Sequence, residues 1–134
     1  MTGSRAIEIV NLTKNVSVGS RIRVAGKAIA RLVGLLGTRK LEPGCGLLIE
    51  PSSGIHTFGM RFPIDVVSLD ANLQVIGTWE KLAPCRLAAV HWKTRKVLEL
   101  PVGTIRAARI EVNDQLGLNM TVAPPAATSP SGRL

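Results

Sequence analysis

The run Pro63-Ile64-Asp65-Val66-Val67-Ser68-Leu69, the turn Asp70-Ala71-Asn72 and the return Leu73-Gln74-Val75-Ile76-Gly77-Thr78-Trp79 constrain this chain more than any other stretch. β-Branched side chains lose rotamer freedom in a helix and pack well on a pleated surface. Two such runs around a short polar turn predict an antiparallel hairpin turned at Ala71-Asn72. Its first strand is strongly apolar and β-branched.

Shorter patterns repeat the theme. Ala6 to Leu12 alternates well enough for an opening strand, and Asn15 to Gly19 reads as a turn with a second extended piece. Gly46 to Ile49, Arg86 to His91, Lys96 to Leu100 and Gln115 to Val122 read as further strands. From Arg21, the positions Ile22, Ala25, Ile29, Leu32, Val33 and Leu36 fall on one helical face, with Gly37 as the stop. Thr104 is expected to cap a short helix running to Arg109. The fold class is therefore mainly β (α+β): a compact antiparallel β-sandwich or barrel-like domain with one N-terminal helix. Residues 1–123 form one domain; the tail from Pro124, small and proline-rich, is expected to be disordered.

With 134 residues and 46% apolar side chains, the chain buries a core without staples, and global disorder is excluded. No stretch approaches the roughly 20 apolar residues of a membrane helix, so no membrane insertion is expected. The first residues lack an apolar signal core, which predicts a cytoplasmic protein with Cys45 and Cys85 as buried thiols. The net charge of +8 is unevenly spread, with basic outer thirds around an acidic middle. Such a frame suits a small anionic ligand or an acidic protein surface, and nucleic acid ranks below them. Aromatic residues are only 3%, which leaves few platforms for base stacking.

The candidate site begins at His56, Phe58 and Met60, which share a face if residues 55–60 are extended. Cu(I) would want a further thioether or thiol, and the other methionines lie near the termini, so no metal and no cofactor are expected. Asp65 sits on the face of Val67 and Leu69, where a carboxylate is costly unless paired. Arg31, Arg39 and Arg61 are candidate partners, and free loop N–H groups, including those of the Arg61-to-Pro63 connection, are the alternative. Glu99 is a second acid in an apolar strand, placed on the solvent face by alternation. Neither a phosphate loop nor a nucleophile elbow is present.

Several blocks, taken in order, resemble the domain of unknown function 192 family of small prokaryotic proteins. They are Arg31 with Gly34-Leu35-Leu36-Gly37-Thr38-Arg39, Gly44-Cys45-Gly46-Leu47-Leu48, His56-Thr57-Phe58-Gly59-Met60-Arg61-Phe62-Pro63-Ile64-Asp65-Val66-Val67, Val97-Leu98-Glu99-Leu100-Pro101-Val102-Gly103-Thr104 and Asn113-Asp114. The resemblance covers residues 6–120 and implies a β-rich, sandwich-like fold with a helix near the N-terminus. It implies no established activity, cofactor or substrate, and many relatives carry an export signal or lipoprotein anchor. Asn113 stands where relatives often have Gly, Ser52 or Ser53 where they have Cys, and Cys45 where Glu is frequent; the last two argue against a shared cysteine chemistry.

Together these readings predict a non-catalytic binding or accessory module. Its polar site is drawn from Arg31, Arg39, His56, Met60, Asp65 and Glu99. The first alternative is a small hydrolase or lyase using His56 and Asp65 as an acid–base pair. The second is a nucleic-acid accessory protein using the basic N-terminal block.

Overall fold

The computed structural model describes residues 6–26, 41–51, 55–56, 62–83, 87–88 and 91–120. At 25, 55, 56, 87, 88 and 120 only the main chain is described. The expected tail, the 27–40 part of the expected helix, Arg31, Arg39 and Met60 lie outside these residues.

The elements in chain order are β1 (Ala6–Asn11), β2 (Val16–Ala25), β3 (Cys45–Ile49), β4 (Ile55–His56), β5 (Ile64–Leu69), β6 (Val75–Leu82), β7 (Leu87–Ala88), β8 (Lys96–Leu100), α1 (Thr104–Ala107) and β9 (Leu116–Met120). Seven strands form one sheet in the order β6-β5-β8-β3-β2-β1-β9, and β4 pairs with β7 in a separate ribbon. Every pair in the large sheet is antiparallel except β2–β3. A parallel pair needs a long crossover, which the chain between Gly26 and Gly44 supplies.

The sheet curls until its two edges meet. Gln74 bridges Gln115, the Leu116 N–H donates to the Leu73 carbonyl at 3.0 Å, and the Val75 N–H donates to the Asp114 carbonyl at 2.9 Å. The result is a half-barrel closed at one end. Its interior holds Ile7, Ile9, Ile22, Leu48, Val67, Leu69, Leu98, Leu100 and Leu116, capped by Ile105, Ala108 and Ile110 from around α1. Mainly β architecture is therefore the correct class, with the core inside the curl.

The β5–β6 hairpin forms as its sequence predicts: Val66 faces Trp79 and Val67 faces Thr78. Asp70 Oδ1 accepts the N–H groups of Asn72 and Gln74, a side-chain mimic of a backbone turn. All six β5 residues are buried, as a strand covered on both faces requires.

Two local expectations fail. Residues 21–25 extend β2 instead of opening a helix, because Ile22 satisfies period two with Val24 as well as it starts a helical stripe with Ala25. Pairing with both β1 and β3 decides the matter. The short helix, α1, ends at Ala107 and is preceded by Gly103 at φ 97°, with no side-chain cap from Thr104. Thr104 is already the first helical residue, and a distant carboxylate takes the capping role.

Candidate functional site

That carboxylate is Asp65. Its side chain is fully buried, and three backbone N–H groups converge on it. The Lys81 N–H donates to Oδ1 at 2.8 Å, while those of Gly103 and Ile105 donate to Oδ2 at 3.1 and 3.0 Å. Each donor has a local cause. The β5–β6 register slips between Ile64 and Val66, opposite Lys81 at φ 52°, which turns the Lys81 amide away from the ladder. The first turn of a helix leaves its N–H groups without carbonyl partners, and Asp65 takes two of those around Gly103 and Ile105. Among the described residues the donors come from β6 and the start of α1, and Arg61 lies outside those residues. Asp65 fastens three elements together and has no surface exposed to a ligand.

Glu99 is different. It lies in β8 opposite Leu47 of β3 and Val66 of β5, on the outer face of the sheet. That face is not the solvent face expected from alternation: Ile64, Val66 and Val97 are fully buried there, with Leu41, Phe62, Trp79 and Leu82 packed against them. Alternation assigns a side but not what covers it. Glu99 is half-buried, and burial alone pushes its carboxyl up from 4.5 to about 7. Among the described residues, no hydrogen bond or ion pair to its side chain is found.

The strand register sets Arg23, Leu47, Glu99, Val66 and Trp79 side by side in one row across β2, β3, β8, β5 and β6. Adjacent strands lie about 4.8 Å apart, so roughly 10 Å separates the Arg23 and Glu99 backbones across Leu47. Arg23 is exposed and the two form no ion pair. One step along the sheet, the Ser68 hydroxyl is buried without a hydrogen-bond partner, close to the Trp79 ring that folds over Gly77. The half-buried Cys45 thiol lies two residues from Leu47 on the same face and is free. Two unpartnered polar groups on one apolar face call for an explanation. Sequence patterning singled out Glu99 but missed Arg23 and Ser68; charge alternating with Ile22 and Val24 along β2 was the available signal.

A cluster that sequence patterning did not foresee ties the 11–15 turn to the 108–114 loop. Asn11 donates through Nδ2 to the Ala108 carbonyl and to Asp114 Oδ2, both at 3.0 Å. Lys14 Nζ donates to Asp114 Oδ2, Glu111 Oε1 and the Arg109 carbonyl. Burial works to raise the Asp114 carboxyl, but the Lys14 and Asn11 hydrogen bonds and the Glu111 N–H outweigh it and hold Asp114 below its ordinary range. The Glu111 and Asp114 hydrogen bonds raise the Lys14 ammonium. Beside this cluster, Lys14, Glu80, Ile105, Arg106, Arg109, Ile110 and Glu111 line a cleft of about 310 Å³. Lys14 pairs there with Glu111 at 2.8 Å and Arg106 with Glu80 at 3.6 Å, and neither Asp65 nor Glu99 lines it.

His56 lies in β4, opposite Leu87 of β7. No three described His, Cys, Asp or Glu side chains are grouped to hold a metal ion. No helix among the described residues is long and apolar enough to cross a membrane.

Similar proteins include archaeal relatives in sequence and solved bacterial structures in fold. An UPF0127 protein of Pyrococcus horikoshii is 32% identical over 111 residues, spanning 81% of this chain and 96% of the relative. One from Pyrococcus abyssi is 30% identical over 114 residues, 81% of this chain and 94% of the relative. A solved structure from Sinorhizobium meliloti, described only provisionally as a transcription regulator, superposes with a TM-score of 0.67 at 18% identity, over 88% of this chain and 98% of that one. A protein of unknown function from Novosphingobium aromaticivorans gives 0.67 at 15% identity, over 83% and 82%. At these identities the likeness is one of fold. The family model described as uncharacterized ACR, COG1430, matches residues 9–118, so the chain belongs to the DUF192 family.

Proposed function

We propose that this protein is a non-catalytic binding module for a small anionic ligand with an apolar body, held on the outer face of the sheet around Glu99. The observation that carries this reading is a carboxyl in mid-sheet with no partner among the described residues, two strands from the exposed Arg23. In its neutral form Glu99 donates a hydrogen bond to the anion, Arg23 supplies the charge, and the half-buried Leu47 and Trp79 supply apolar contact. Asp65 holds the frame from the opposite face. Arg31, Arg39, His56 and Met60 stay candidate contacts on their sequence grounds alone.

The test is amide NMR with benzoate, octanoate and inorganic phosphate as probes. Shifts confined to Arg23, Leu47, Val66 and Glu99, with affinity falling as pH rises through about 7, support the reading. Ionised Glu99 repels an anion, so Glu99→Gln should abolish that pH dependence and Arg23→Ala should weaken binding at every pH. No shifts with any probe, or affinity that grows with pH, would sink it. The second reading, a small acid–base enzyme, is favoured by the same carboxyl, since a group titrating near 7 suits proton transfer. Its acid would then be Glu99, with His56 as the other group. It requires turnover that Glu99→Gln abolishes while probe binding persists.

A further inference from the structure

The turn before β8 carries a feature that the outer-face site does not use. Trp92 is 76% exposed, the highest value among the large apolar side chains of the described residues, in a chain with only two tryptophans. Its turn is held firmly. The Thr94 N–H donates to the His91 carbonyl at 3.0 Å, the Lys93 N–H donates to His91 Nδ1 at 3.0 Å, and the Arg95 N–H donates to the Leu69 carbonyl at 2.9 Å. Arg95 Nη1 donates to the Trp92 carbonyl at 2.9 Å, and Thr94 is buried beneath. The indole is therefore displayed on a fixed support with two cations beside it.

We propose that the His91–Arg95 turn docks on an anionic phospholipid surface, with the Trp92 indole seated at headgroup level and Lys93 and Arg95 on the phosphates. Tryptophan favours this interface because it joins a large apolar body to one N–H donor. Lys93 stands with Nζ 5.0 Å from the indole centroid, so charge and ring are presented together. Lys96 is committed to Glu50 at 2.9 Å and contributes less. The net charge of +8 draws the molecule towards a negative surface. Nucleic acid fits less well: base stacking needs a free aromatic face, whereas the indole stacks on His91 at 6.0 Å and 18° and has Lys93 over it.

A Trp79→Phe background leaves Trp92 as the sole indole, and circular dichroism checks that the background is folded. Vesicles of three parts phosphatidylcholine to one part phosphatidylglycerol should shift its emission to the blue and shield it from acrylamide. Phosphatidylcholine alone should do neither. In otherwise native protein, Trp92→Ala should abolish co-sedimentation with the mixed vesicles, and Lys93→Ala should weaken it about five-fold. Co-sedimentation unchanged by Trp92→Ala, or no partition into the mixed vesicles, overturns the proposal. So does quenching of Trp92 by single-stranded oligonucleotides without any response to vesicles, which would assign the turn to nucleic acid.

Discussion

Replacing Glu99 by Gln tests how the sheet treats a carboxyl that it does not hydrogen-bond. Burial raises the group from 4.5 to about 7, so the folded state binds its proton more tightly than the unfolded chain does. Stability from this source is full below the unfolded value and declines as pH rises towards the folded one. The loss follows from the two proton affinities: about 1 kcal/mol at pH 5, about 2 at pH 6 and about 3 at pH 8, where it levels off. Glutamine preserves the shape and cannot ionise. Glu99→Gln should therefore match the wild type near pH 4 and exceed it by about 3 kcal/mol at pH 8. For a domain of this size that is on the order of 10 °C in midpoint.

Urea unfolding of both proteins at matched pH from 4 to 8 measures the difference directly. Arg21 and Arg23 of β2 and Cys45 of β3 are the described charged or titratable groups sharing the outer face nearest Glu99, and none bonds to it. A constant difference across pH would refute the reasoning. So would a Glu99→Gln protein weaker than wild type at pH 8, because it would mean that the carboxylate form has a stabilising partner.

Asp65→Asn should cost about 3 kcal/mol in urea at neutral pH, since the amide offers one acceptor oxygen and turns its own N–H groups on buried donors; a loss below about 1 kcal/mol would contradict its role as the clamp on α1. Asp114 is held below its ordinary value, so its contribution is present above the unfolded value and lost as pH falls through the folded one. Asp114→Asn should lower stability by on the order of 1–2 kcal/mol at pH 7 and flatten the acid limb, and an unchanged acid limb in thermal scans would argue otherwise. Gly46→Ala places a Cβ 2.8 Å from the Glu99 carbonyl oxygen and from Ile22 Cδ1, so β3 and β8 must separate; a midpoint equal to wild type would show that they yield freely.

Hydrophobic pattern made the hairpin legible because its determinants are local: β-branched runs and an Asp that folds its own turn. The same local evidence misled at Arg21–Ala25, where Ile22 fits a helical stripe with Ala25 and a period-two run with Val24, and only the β1 and β3 partners break the tie. Burial of Asp65 could be read from its neighbours, but its donors lie 16, 38 and 40 residues away in sequence. Thr104 looked like a cap for the same reason, since nothing nearby reveals that Asp65 already serves the helix start. Of the expected site, Asp65 and Glu99 could be placed with their side chains and His56 by its main chain.

Asp65 and Glu99 occupy neighbouring rows, Asp65 opposite Leu100 and Glu99 opposite Val66, yet face opposite sides of the sheet and meet opposite fates. Supply of N–H groups explains the difference. Asp65 lies where a bulge and a helix start release amides from their ladders. Glu99 stands in β8, which pairs with β3 on one side and β5 on the other, so the surrounding amides are committed to strand pairing. A backbone so engaged has no donor to spare for a carboxylate. Any partner for Glu99 must then be a side chain or a ligand arriving over the outer face, and without one the group stays protonated up to about pH 7. The feature that destabilises the sheet at high pH is thus the same one that leaves a carboxyl in its middle without a partner among the described residues.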